Sequence, residues 1–262
     1  MIRAMPRWSA MLALSLCATV ALAATDVPDD PLDSSQWRYM KRQYFPDAKV
    51  VFDDRVKVVA PDYAEDSLAT PVQVSADGLD GVERVLVIAD LSPINPVLDY
   101  FPVAAKPSIG FSFKIQQATP IRAAMQTADG TWHVGGAWVD AQGGGCTAPS
   151  VGNSSAIWQS RLGEVSGRLW AAADAGEPGQ RLKLRVVHPM DTGLAAGIPA
   201  FYIRDITISD FEGRTLARLA PDEPVSENPV FALDLDHDGP VTVEGRDNNG
   251  NTFSAVIPAP AS

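Results

Sequence analysis

Ile109-Gly110-Phe111-Ser112-Phe113-Lys114-Ile115 is the stretch that decides the fold. Large apolar side chains recur at every second position, separated by Gly110, Ser112 and Lys114. Successive Cβ atoms of an extended chain point to opposite sides of a sheet, so this is a strand with one buried face and one polar face. Upstream, residues 85–91 are apolar except for Asp90 and read as a central strand, and residues 56–59 and 72–74 read as shorter ones. Downstream, residues 121–127 and 131–139 are joined by Asp129-Gly130, the composition of a tight hairpin turn. The second half repeats the style. Leu182, Leu184 and Val186 alternate with Lys183 and Arg185, Ile206 and Ile208 with Thr207 and Ser209, and Phe231, Leu233 and Leu235 with Ala232 and Asp234. Val241 and Val243 follow, and Asn249-Gly250 turns the chain into residues 253–257. Short strands with frequent turn signals predict antiparallel β-sandwiches.

Helical periodicity is confined to two places. Trp37, Met40 and Tyr44 form one stripe after a capping Asp33 or Ser34, and Pro46 ends it. A short helix is expected within residues 157–165. The fold class is therefore all-β, two sandwich domains with a short N-terminal helix. The first domain is expected over residues 33–142 and the second over 161–262. Between them, residues 143–160 are rich in Gly and Ser and lack periodicity, which reads as a linker.

The first two dozen residues are a secretory signal peptide by pattern: Arg3 and Arg7, then an apolar run from Met11 to Leu22, then Ala21-Leu22-Ala23. Cleavage is expected after Ala23 or Ala24, with residues 25–31 a polar leader. Leu16 before Cys17 does not suit lipid attachment. The run is short for a bilayer span, and nothing later approaches one. Loss of Arg3 and Arg7 leaves 19 basic against 32 acidic residues. Such a surface repels nucleic acid and anionic membranes. The expected location is the periplasm.

Of the two cysteines, Cys17 leaves with the signal, so Cys146 remains alone. That excludes an internal disulfide, Cys-x-x-Cys redox chemistry and haem attachment. Cys146 follows Gly143, Gly144 and Gly145, a thin and flexible arm on which a thiol could be presented to a partner's cleft. From Val139 to Cys146 such an arm reaches at most ~25 Å. No His, Lys or Arg adjoins the thiol in sequence, so a presented thiol with an ordinary pKa is expected, not a catalytic one. A dimerising or inert linker cysteine is the plainer alternative.

No other motif carries chemistry. His133 lies on a strand and reads as a structural or surface residue; His188 precedes Pro189 at a strand end, with no nucleophile beside it in sequence. Asp234, Asp236, Asp238 and Gly239 imitate the start of a calcium loop, but the position that requires Glu is Gly245. There is no phosphate loop, nucleophile elbow or zinc-ligand cluster. No cofactor, metal site or catalytic residue is expected.

Several stretches resemble a known carrier family. Residues 56–60, Thr70-Pro71-Val72-Gln73-Val74-Ser75-Ala76, residues 85–91 running into Pro93-Ile94-Asn95-Pro96, Lys106-Pro107-Ser108-Ile109-Gly110-Phe111 and the glycine-flanked cysteine resemble SoxY, the sulfur-carrying subunit of periplasmic sulfur oxidation. His188-Pro189-Met190-Asp191-Thr192-Gly193, Pro199-Ala200-Phe201-Tyr202-Ile203, Ser226-Glu227-Asn228-Pro229 and Asp247-Asn248-Asn249-Gly250 resemble SoxZ, in SoxZ order. The whole resembles the fused SoxYZ-like carriers associated with quinoprotein dehydrogenases. The resemblance implies two packed immunoglobulin-like sandwiches. It also implies a cysteine, here Cys146 on the Gly143–Gly145 arm, that holds a sulfur intermediate covalently while separate enzymes act on it. In that family a haem protein attaches thiosulfate oxidatively and a metal hydrolase removes sulfate. The SoxY cysteine lies at the chain end with glycines on both sides, whereas Cys146 is internal and followed by Thr147, Ala148 and Pro149. The implied partners are sulfur-oxidation enzymes, or a periplasmic quinoprotein dehydrogenase or cytochrome for which the protein would be a non-covalent adaptor or assembly factor.

Overall fold

The computed structural model describes residues 29–150, 156–171 and 179–260. The signal-peptide reading of residues 1–24 and part of the linker reading lie outside them. Helix α1 (Trp37–Tyr44) opens the fold, followed by β1 (Val50–Phe52), β2 (Val56–Val59), β3 (Thr70–Ala76), β4 (Val82–Ala89), β5 (Pro96–Pro102), β6 (Ala105–Phe113), β7 (Thr119–Thr127) and β8 (Trp132–Val139). After helix α2 (Ala156–Arg161) come β9 (Val165–Ala171), β10 (Gln180–Val186), β11 (Ile203–Ser209), β12 (Thr215–Pro221), β13 (Val230–Leu235), β14 (Val241–Asp247) and β15 (Thr252–Ile257). Except for the parallel pair β1 and β8, every ladder between these strands is antiparallel. The all-β sandwich class and the N-terminal helix are as read from the sequence. The second helix is shorter than expected, and Val165 already belongs to β9.

The two halves do not merely touch. One sheet runs β1-β8-β7-β4-β5-β12-β11-β14-β15 and the other β2-β3-β6-β13-β10-β9, so both sheets pass from the first half into the second. In the larger sheet β5 pairs with β12, placing Tyr100 opposite Leu219. In the smaller one β6 pairs with β13, placing Ile109 opposite Leu233. The alternation that identified β6 thus serves a core shared by both halves: Val74, Tyr100, Ile109, Ile206, Leu219, Phe231 and Leu233 belong to one buried cluster. Pairing edge to edge also removes four open sheet edges, which would otherwise template association.

The unbroken apolar run of β4 has a specific cause. Val85, Val87 and Ala89 face the shared core, while Leu86 and Ile88 face a second cluster beneath α1 that contains Trp37, Met40, Phe45 and Trp132. A strand covered on both faces has no reason to alternate. The N-terminal segment is tied down at buried Arg122. Its guanidinium bonds both oxygens of Asp30 (2.8 and 2.6 Å) and reaches Asp90 at 2.9 Å, and the Trp37 ring lies 4.5 Å from its carbon.

Candidate functional site

Cys146 is fully buried. The expected presented thiol is corrected on this point: residues 143–150 lie along the seam between the halves with Gly145, Cys146 and Ser150 buried, and the thiol is enclosed there. The reason lies in the glycines. A Cβ on Gly145 would stand 1.9 Å from the Ser67 carbonyl oxygen and 2.7 Å from that of Ile115. On Gly143, at φ +93°, it would stand 2.1 Å from the Gln116 carbonyl oxygen. These glycines let the segment lie directly against backbone, which no other residue could do.

The segment is then held by hydrogen bonds from both halves. Gly145 N donates to Ile115 O (3.0 Å) and Gly144 N to Gln116 O (3.3 Å). Cys146 N donates to Gln116 Oε1 (3.1 Å), and its thiol donates to the Lys114 carbonyl (3.4 Å). From the second half, the Thr192 hydroxyl donates to the Cys146 carbonyl. Asp191 accepts from Ser150 N (2.9 Å) and from the Ser150 hydroxyl (3.1 Å). A short 3₁₀ turn, Gly145–Thr147, carries the cysteine itself.

His188-Pro189-Met190-Asp191-Thr192-Gly193 is therefore the clasp that closes over the cysteine segment. Met190 adopts a left-handed backbone (φ +52°), rare for a residue with a side chain, and its carbonyl accepts from the Lys114 ammonium. His188 holds this turn: its Nδ1 accepts from Met190 N at 3.1 Å, and its ring stacks edgewise on Phe201 at 4.5 Å. Burial lowers its pKa to about 4, opposed by Asp247, whose carboxylate lies 3.5 Å from Nε2. The imidazole is thus neutral at ordinary pH and acts through geometry.

Lys114 and Ser92 are the site residues that the sequence reading missed. Lys114 stands on the polar phase of β6's pattern yet is 2 % exposed. Burial lowers its pKa, while Asp191, Cys146 and Glu227 favour its charge. Ser92, in the turn after β4, is buried near the thiol and lowers its pKa; its hydroxyl makes no hydrogen bond among the described residues. Burial pushes the Cys146 pKa up, partly offset by Ser92 and by the Lys114 charge. Lys114 is 32 residues and Ser92 54 residues upstream of Cys146, so no local motif could have revealed either. Beside the thiol, a surface recess of about 400 Å³ is bounded by Leu91, Ser92, Gln116, Thr147 and Leu194.

The other singled-out residues lie elsewhere. His133 Nδ1 pairs with Asp53 at 2.7 Å at the far edge of the larger sheet. Asp234, still within β13, is paired with Arg181, and in the acidic turn that follows Asp238 accepts from Gly179 N.

Fold and site together define a fused pair of β-sandwiches that encloses a single thiol at its seam. The family model described as sulfur oxidation protein SoxY matches residues 41–146, ending at the cysteine, and that described as sulphur oxidation protein SoxZ matches residues 170–258. The chain therefore carries a SoxY domain followed in tandem by a SoxZ domain. A solved structure of the sulfur carrier protein SoxY from Chlorobium limicola f thiosulfatophilum is 15 % identical, with a TM-score of 0.36, covering 41 % of this chain and 97 % of that one. A β-glucuronidase from Parabacteroides merdae is 8 % identical, with a TM-score of 0.23, covering 79 % of this chain and 24 % of that one. No curated protein sequence matches the chain.

Proposed function

We propose that the protein is a non-enzymatic, exported carrier that holds a sulfur-containing intermediate covalently on Cys146 for partner enzymes. One observation carries this reading: the SoxY match ends at the cysteine, and the SoxZ half clasps that same cysteine through Thr192 and Met190. Loading with thiosulfate would join the Cys146 sulfur to the outer sulfur of thiosulfate. The thiol proton goes to solvent, and two electrons go to an electron acceptor supplied by a partner oxidoreductase. Hydrolysis by a second partner would add one water, release sulfate and leave a persulfide on Cys146.

The docked thiol is enclosed and kept protonated by burial, so attack requires the segment to open. Gly143 and Gly145 fit tightly against backbone when docked, and all three glycines bend freely when released. Since Cys146 is internal, the released segment leaves as a loop. Partners are periplasmic sulfur-oxidation enzymes; an association with a quinoprotein dehydrogenase or cytochrome is the narrower form of the same proposal.

The test is growth on thiosulfate, or the dehydrogenase-linked activity, of a Cys146→Ser strain, with intact mass of the wild-type protein taken from its native compartment. Loss of function at normal abundance, together with a sulfur adduct on the wild type, is expected. Full function of Cys146→Ser would overturn the carrier reading.

A further inference from the structure

The smaller sheet carries a charge opposite to that of the chain. The whole sequence has 21 basic against 32 acidic residues. The strands of this sheet nonetheless hold Lys57, Lys106, Arg168, Arg181, Lys183 and Arg185 against one carboxylate, Asp234, which is paired with Arg181. Leu169, Leu182, Leu184 and Phe231 take the inner phase of their strands in the shared core, so Arg168, Lys183, Arg185, Val230 and Ala232 look outward. On that outer face Lys183 stands directly opposite Arg168 on one side and Ala232 on the other, and Arg185 opposite Ser166 and Val230. Like charges opposed across a ladder destabilise it. Arg168, Lys183 and Arg185 are exposed, and none of them forms an ion pair among the described residues. The Arg168 guanidinium lies over the Trp170 ring at 5.2 Å, and that ring is itself 38 % exposed.

The same face is grooved. A recess of about 360 Å³ is bounded by Ser166, Arg168, Trp170, Lys183, Arg185 and Val230. A second, of about 690 Å³, is bounded by Val59, Pro61, Pro71, Phe111 and Ala232, again with Lys183 and Val230. The two recesses meet at that shared pair, so they form one groove, cationic over the second half of the chain and apolar over the first. It exists because β6 and β13 pair across the halves. Crossing the sheet from its first strand to its sixth spans about 24 Å, the length of about seven extended residues. A duplex nucleic acid or an anionic bilayer would meet the negative charge of the whole molecule. A short segment meets only charges within about 10 Å, where the cations dominate. We propose that this groove binds an extended segment of a partner protein. Its acidic end lies on Arg168, Lys183 and Arg185, and its apolar end lies against Val59 and Pro71. The groove shares no lining residue with the recess beside the cysteine segment, and the proposal stands whether or not Cys146 carries cargo.

The probe is a fluorescent, end-blocked peptide of four glutamates followed by three leucines, read by anisotropy against the full chain. Two counterparts replace the glutamates by lysines or the leucines by serines. The acidic, apolar-ended peptide should bind about tenfold or more tighter than either, and raising salt should weaken it. Lys183→Glu should lower its affinity by about tenfold or more, since a like charge then faces the peptide. Arg204→Glu, at an exposed position of β11 in the larger sheet, changes net charge equally and should leave the affinity unchanged. Lys183→Glu also sets a carboxylate opposite Arg168, so its Tm should hold or rise by about 1–2 °C. Lost binding at an undiminished Tm is then no folding defect. Should Lys183→Glu melt lower, Arg185→Glu is measured in its place. Equal binding of the acidic peptide and either counterpart overturns the proposal, as does an equal loss in Arg204→Glu. Binding of phosphatidylglycerol vesicles with no binding of the peptide also overturns it and assigns the face to a lipid surface.

Discussion

Gly145→Ala isolates docking from every other property of the cysteine segment. Gly145 lacks the positive φ of Gly143 and Gly144, so alanine meets no backbone strain there; the obstacle is purely steric. The new methyl would stand 1.9 Å from the Ser67 carbonyl oxygen. That oxygen cannot retreat freely, because it accepts from Ile115 N at 2.9 Å. Displacing the segment breaks Gly145 N to Ile115 O, Gly144 N to Gln116 O and Cys146 N to Gln116 Oε1. At a net contribution of about 1 kcal/mol each, docking weakens by about 3 kcal/mol. With roughly 1.4 kcal/mol per factor of ten, alkylation of Cys146 by iodoacetamide should accelerate about a hundredfold. Its pH midpoint should also move. Burial holds the docked thiol above the free value of about 8.5, and release should return it there. Gly144→Ala is the internal comparison. It has open space but φ +90°, so only conformational strain of about 1–2 kcal/mol opposes it, and a rise of roughly tenfold is expected. If Gly145→Ala melts cooperatively yet alkylates no faster than the wild type, the glycines do not control docking and the argument fails.

Thr192→Val removes the hydroxyl that donates to the Cys146 carbonyl while keeping shape, and should raise alkylation by about fivefold to tenfold with little change in melting. Cys146→Ser replaces a buried sulfur with a smaller, more polar oxygen. It should cost about 1 kcal/mol, lowering Tm by about 2–4 °C, where a cysteine in an exposed linker would cost nothing measurable. Asp222, half-buried beside Glu223 and Asp99, has its pKa raised to about 7, desolvation being the larger cause. A raised carboxyl pKa stabilises the fold below the unfolded value and loses that contribution as pH rises through about 7. Asp222→Asn should therefore gain Tm over the wild type at pH 8 and show no gain at pH 4; an equal gain at both would refute the assignment.

Strand periodicity located most of the sheets, including β6 and β13, which join the halves in the smaller sheet. β1, β5, β9 and β12 escaped it, and β5 and β12 join the halves in the larger one. In β5, Phe101 is an apolar residue on the outer phase, where the guanidinium groups of Arg84 and Arg218 lie over its ring at 5.6 and 5.1 Å. That phase therefore looked apolar in sequence, and the prolines at the strand's ends hid it further. Those two strands are the ones that make the larger sheet continuous.

The sequence by itself determined the all-β class, the N-terminal helix, the single cysteine of interest and the His188–Gly193 signature. Each of these is a local pattern of residue types, and local patterns are set by backbone geometry and composition. Only the tertiary structure decided that the cysteine is enclosed, because enclosure depends on carbonyls of Ser67, Ile115 and Gln116 that lie far from it along the chain. Lys114 shows the difference most directly. Alternation placed it on the polar face of β6, toward solvent. The left-handed turn at Met190, 76 residues away, covers that face and offers the ammonium a carbonyl. A period of two states which side of a strand a residue takes; what lies on that side is settled by the rest of the chain.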